Sequence, residues 1–163
     1  MKLIIADTGP VLHLEEAGLS SLLPKLGEVY VTPAVLAELQ QRAGWSRPAW
    51  LQVAQPSVAA LRNARLWVSS GMLHDGEAEA LAHAKEVRPD YFLTDDGEAR
   101  VAAQTAGLHV RGSLGVVLGC AAFGLCTQPE AEQALDALES RSTLWLTSTV
   151  KLAAREALQK LFP

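Results

Sequence analysis

The sequence predicts an α/β protein, a three-layer sandwich with a mainly parallel central sheet. Short apolar runs alternate with Ala-, Glu- and Leu-rich helical stretches along the whole chain. No repeat, low-complexity stretch or long linker interrupts the pattern. One domain spanning residues 1–163 is therefore expected, large enough to bury a core without staples. In addition, two buried-type strands end in acid: Leu3-Ile4-Ile5-Ala6-Asp7-Thr8 and Tyr91-Phe92-Leu93-Thr94-Asp95-Asp96. Ligands of open α/β sheets bind outside the carboxyl edge of the strands, so a single acidic pocket is expected there.

Residues 3–6 read as a short buried strand, and Asp7-Thr8-Gly9-Pro10 as the turn out of it. Pro10 suits a first helical position, and Gly18 stops the helix that follows. Residues 19–26 read as a second short helix and 29–31 as a second strand. Thr32 is placed to cap a helix with Pro33 at its start, running to about Ala43. Residues 50–53 suggest a short edge strand, and a helix follows Ser57 to about Ser70. Asp75 to Val87 is a strong helical pattern, and Tyr91 to Thr94 is the next strand. Asp95 followed by Glu98 resembles a capping box that opens the helix to Ala106. Leu108 to Arg111 is a further strand, and Ser113 caps a helix to about Gly124. Residues 128–140 form another helix, Thr143 to Leu146 a late strand, and Ser148 to Leu161 a closing amphipathic helix.

The formal net charge of −4 argues against nucleic-acid binding by bulk electrostatics. It leaves room for an enzyme that meets phosphate through cations and a few arginines. Cys120 and Cys126 form neither a disulfide framework nor a zinc signature, which fits a reducing, cytoplasmic setting. Asp7 interrupts the apolar start before a secretion signal could form. The longest apolar run, Leu114 to Cys126, is too short and glycine-rich to span a membrane.

Six carboxylates are candidates for chemistry: Asp7, Glu38, Glu77, Glu79, Asp95 and Asp96. Magnesium and manganese take oxygen ligands, and a bound cation relieves the repulsion among converging acids. Two such ions can activate a water and neutralise charge on a phosphate, which points to phosphodiester cleavage. Asp7 is the leading candidate, its alternative being a helix cap. The capping-box reading gives Asp95 a structural task and leaves Asp96 freer for the site. Glu77 and Glu79, two apart on a helix, point in different directions, so at most one faces the pocket squarely. Glu38 taken alone reads as a solvated helix residue. Arg100 lies four residues after Asp96 and could hold a phosphate or neutralise the acids. Thr94 could orient a ligand or contact substrate. The histidines lack metal-ligand spacing, and the four tryptophans read as core or interface residues.

These motifs together resemble a PIN domain, the fold of VapC-type ribonuclease toxins. The opening Ile-Ile-Ala-Asp7-Thr8 is similar to the family's first strand and first acid. Thr32-Pro33-Ala34-Val35-Leu36-Ala37-Glu38-Leu39 resembles its second-acid helix, and Thr94-Asp95-Asp96 its Thr-x-Asp. Gly76-Glu77-Ala78-Glu79-Ala80 resembles the helix start bearing the third acid, which the family pattern places on Glu79. The Gly-Glu-x-Glu-Ala start, with Asp-Asp-x-x-Ala-Arg at 95–100 and Gly-Ser-Leu-Gly at 112–115, is closest to an uncharacterised prokaryotic branch. Gly9 replaces a common hydroxyl residue, and the third acid is glutamate in place of aspartate.

The resemblance implies a Mg2+- or Mn2+-dependent ribonuclease that cleaves single-stranded RNA. Asp7, Glu38, Glu79 and Asp96 would be catalytic and metal-binding, with Asp95 close by, and Thr8, Thr94 and Arg100 would meet substrate. It further implies a homodimer and a small antitoxin as partner. Two other classes fit parts of the pattern: an α/β phosphohydrolase or receiver domain, and an inactive PIN-like module that binds RNA or protein.

Overall fold

The computed structural model describes residues 1–162. Its centre is a sheet of five parallel strands: β1 (Leu3–Ala6), β2 (Glu28–Val31), β3 (Leu51–Val53), β4 (Tyr91–Leu93) and β5 (Val110–Arg111). They are ordered β3-β2-β1-β4-β5, so the chain starts at the middle, moves to one edge, then crosses back to the other side of β1. The carboxyl ends of β1 and β4 therefore flank the point where the winding reverses, the place where such sheets bind ligands. Ile4, Ile5 and Ala6 pair with Tyr91, Phe92 and Leu93. The Asp7 amide then donates to the Leu93 carbonyl at 2.8 Å, which carries this register into the acidic ends.

Among the described residues nine helices cover the sheet. A first group is α1 (Thr8–Glu16), α2 (Leu22–Leu26), α7 (Ser113–Ala122), α8 (Gln128–Arg141) and α9 (Ser148–Leu161), with α7 at its centre. A second is α3 (Pro33–Gln40), α4 (Val58–Ser69), α5 (Asp75–Val87) and α6 (Gly97–Thr105), with α5 at its centre. α3 also touches α1. The three-layer α/β arrangement is the one the alternating pattern predicts. Ile4, Ile5, Phe92 and Leu93 are fully or almost fully buried between the layers. Such two-sided burial explains why these strands read as continuous apolar runs without alternation. No helix among the described residues is long and apolar enough to cross a membrane.

Three local expectations are corrected. Residues 143–147 are not a strand but an irregular connection between α8 and α9. The Thr143 amide donates to Glu16 at 2.6 Å, so its hydrogen bond goes to the end of α1 and not to a sheet neighbour. The cap of α6 is Asp96, whose Oδ1 accepts from the Ala99 amide at 2.7 Å, and not Asp95. The strand ends at Leu93 and the helix begins at Gly97, which puts Asp96 in the capping position. Ser113 likewise does not cap α7; it is the first helical residue, after Gly112.

Candidate metal centre

Every acid of interest owes its position to the end of an element. Asp7 leaves β1 in an extended conformation (φ −79°, ψ 170°) and caps α1, accepting from the Thr8 amide at 2.7 Å. Its second oxygen accepts from the Thr94 hydroxyl at 3.0 Å, across the β1–β4 junction. Asp7 is only 4% exposed. Burial pushes its carboxyl up to about 7, the charges of Glu77 and Glu38 add to that, and the Thr8 and Thr94 hydrogen bonds oppose it.

Glu38 reaches the same place from the last turns of α3. One oxygen accepts from the Thr8 hydroxyl and the other from the Gly76 amide at 3.0 Å. Gly76 is a glycine for a steric reason: a Cβ there would lie 2.5 Å from both carboxylate oxygens of Glu38. A side chain at this position would therefore push the end of the Glu38 side chain out of its place.

Glu77 is the α5 acid in the cleft. It accepts from the His74 amide at 3.0 Å in a capping box, and burial raises its pKa, helped by the charges of Asp96 and Glu38. Glu79, which the family pattern favours as the third acid, points elsewhere. Its Oε1 accepts from the Ala34 amide at 2.9 Å, in the first turn of α3. There a carboxylate meets an unpaired amide and the positive end of the helix. Glu79 thus ties α3 to α5, and Glu77 takes the place expected of Glu79.

Asp95 and Asp96 separate as well. Asp96 stays at the cleft as the α6 cap, and its amide donates to the Thr94 hydroxyl at 3.2 Å. Asp95 accepts from the Ser113 amide at 2.7 Å, the Ser113 hydroxyl at 2.5 Å and His13 Nδ1 at 2.8 Å. These donors come from α7 and α1, so Asp95 joins three elements while it lines the cleft beside Asp96. Three residues expected to meet substrate have polar groups engaged inside the protein. The Thr8 hydroxyl serves Glu38, the Thr94 hydroxyl serves Asp7, and Arg100 Nη2 donates to the Thr94 carbonyl at 3.1 Å.

Asp7, Glu38, Glu77 and Asp96 line one cleft of about 530 Å³, with Asp95, His13 and Trp145 also on its wall. The sequence carried no signal for His13 beyond its place one turn after Gly9. An added Cβ at Gly9 would meet Asp95 Cβ at 3.5 Å and His13 Cε1 at 3.6 Å, ordinary packing distances, so the position has room for a Cβ and glycine is not sterically required there. Trp145 is 81% exposed and is not a core residue, unlike Trp45, Trp50 and Trp67, which pack against the core.

The donor chemistry fits a hard divalent cation: oxygen ligands only, net negative, and raised pKa values that a positive charge would relieve. Among the described residues no three His, Cys, Asp or Glu side chains are gathered as a ready metal cage. The carboxylates instead rest on protein donors, each of which takes part of an oxygen's accepting capacity and leaves lone pairs over.

A search of curated proteins found no match. The family model DUF3368, described as a PIN domain, matches residues 3–160. That match spans all five strands and the five acids of the cleft, and the chain therefore belongs to the PIN-domain family.

Proposed function

We propose that the acidic cleft is the catalytic centre of a magnesium- or manganese-dependent endoribonuclease acting on single-stranded RNA. PIN domains are generally nucleases. The observation that carries the proposal is the meeting of Asp7, Glu38, Glu77 and Asp96 in one cleft at the carboxyl edge of the sheet. These four would hold the cation. When bound, it supplies activation of a water and neutralisation of the charge that develops on a phosphate.

The chain's own part is positioning. Thr8 and Gly76 hold Glu38 from opposite sides, and Thr94 fixes Asp7 against β4. Asp95 anchors His13 on the cleft wall, and Arg100 steadies the backbone of Thr94. Glu79 sets the distance between the helices that bear Glu38 and Glu77. Near neutral pH the metal-free Asp7 shares its site with a proton, and a nearby cation favours the ionised form.

The biological setting belongs to the same proposal: a cytoplasmic toxin restrained by a small antitoxin and working as a homodimer. Family membership supports it, and the free thiols Cys120 and Cys126 suit a reducing compartment. The test is cleavage of a labelled single-stranded RNA with manganese, with chelator, and by a folded Asp7→Asn protein. Manganese-dependent cleavage lost in the variant is the expected result. Full cleavage by the variant would exclude the assignment, and no cleavage by either protein would favour a catalytically inactive binding module.

A further inference from the structure

We infer that Trp145 is a stacking platform for an unpaired nucleobase next to the phosphate held in the cleft. The inference rests on the reading of that cleft as an RNA-cleaving centre. The indole lies on the wall shared with Asp7, Glu38, Glu77 and Asp96, and is 81% exposed. The fold makes little use of it, since the other three tryptophans pack against the core and this one does not.

The segment that carries Trp145 is nonetheless held on both sides. Before it, the Thr143 amide and hydroxyl donate to Glu16 at 2.6 and 2.8 Å, and Leu144 packs inward. After it, Thr147 caps α9, accepting from the Val150 amide at 3.2 Å. With its backbone held, the indole has only two side-chain torsions to lose when a flat ligand lies on it.

Charge gives a second reason. The residues on the cleft wall include five carboxylates and neither lysine nor arginine. A polyanion therefore meets no basic groove there, whereas stacking on a π-face needs no positive charge and serves any base. A phosphate drawn to the acids through a cation would place its neighbouring base within the same cleft mouth.

The experiment is an anisotropy titration in calcium with fluorescein-labelled single-stranded oligoadenylate and with the matching abasic ribose–phosphate oligomer. The proteins are wild type, Trp145→Phe and Trp145→Leu, each checked for folding by circular dichroism and for oligomeric state by light scattering. Loss of one stacked base is expected to weaken oligoadenylate binding by roughly 5- to 150-fold in Trp145→Leu. Trp145→Phe keeps most of the affinity, and all three proteins bind the abasic oligomer alike and weakly. In manganese, Trp145→Leu raises KM for the RNA and leaves kcat near wild type.

Equal oligoadenylate affinity of wild type and Trp145→Leu would overturn the inference. So would abasic and base-bearing oligomers that bind wild type equally, or no binding of either. A change of oligomeric state in Trp145→Leu with unaltered RNA binding would also overturn it and assign the indole to a chain–chain contact. The nuclease reading fails by a different signal: base-dependent binding lost in Trp145→Leu, with no manganese-dependent cleavage, removes the nuclease and retains the platform.

Discussion

Replacing Asp7 with Asn should stabilise the metal-free protein at alkaline pH and not at acid pH. Burial raises this carboxyl from its ordinary 3.8 to about 7. The folded state therefore holds the proton more tightly than the unfolded chain. Below the unfolded value both states are protonated and no penalty exists. As pH rises from about 4 toward 7, the unfolded chain ionises while the folded state resists, and stability falls. Above about 7 the penalty is complete, with a ceiling of about 4 kcal/mol. Asn cannot ionise, so it escapes that penalty. It also loses an acceptor for the Thr94 hydroxyl, a cost of about 1–3 kcal/mol that does not vary with pH.

The quantity to measure is thus the pH dependence of the difference between the two proteins. About 1.7 kcal/mol of the penalty is already present at pH 5, so thermal melts in chelator at pH 5 and pH 8 should show the variant gaining on wild type by up to roughly 5–10 °C, at about 2–4 °C per kcal/mol for a chain of this size. Manganese at pH 8 should restore wild type and leave the variant largely unmoved, because binding to the folded state alone adds stability. A difference between the proteins that is the same at both pH values would refute the argument. It would mean that Asp7 ionises as easily in the fold as in water.

Glu77→Gln should lower manganese-dependent cleavage by at least about 100-fold with little change in urea midpoint, whereas Glu79→Ala should keep cleavage and lose about 1 kcal/mol, as expected of a lost helix cap. The cap is removed by Glu79→Ala, since a glutamine oxygen would still accept from the Ala34 amide; parallel rate measurements and urea melts on these variants separate the two acids, and the reverse pattern would return the third acid to Glu79. Gly76→Ala should displace the Glu38 carboxylate, which a Cβ would meet at 2.5 Å, and remove most of the cleavage activity at little cost in stability, because the end of a flexible side chain can move aside. A Gly76→Ala protein with wild-type cleavage would remove the steric reason given for that glycine.

The sequence by itself determined the layers and the location of the site. Leu3–Ala6 and Tyr91–Leu93 are apolar on both faces, as a central parallel strand must be, and each runs directly into acid. That pattern is local, and it survives in the fold because strand ends and helix starts are set by neighbouring residues. The start of α5 at Asp75 and the span of α9 were legible for the same reason.

Which acid faces the cleft was not a local question. Residues two apart on a helix differ by about 200° around its axis, so either Glu77 or Glu79 could have been inward. The rotation of α5 is set by burial of Gly76, Ala78, Ala80 and Leu81, and by the Ala34 amide that claims Glu79. Asp95 and Asp96 were likewise divided by partners distant in the chain. Ser113 and His13 occupy the carboxylate oxygens of one on the cleft wall, while an α6 amide holds the other beside it. The alternating Thr143-Leu144-Trp145-Leu146 suggested a strand, but Glu16 takes the Thr143 amide, leaving the segment outside the sheet with Leu144 packed inward and Trp145 exposed. Strand-forming residues need a partner edge, and whether one is within reach is a property of the assembled chain alone.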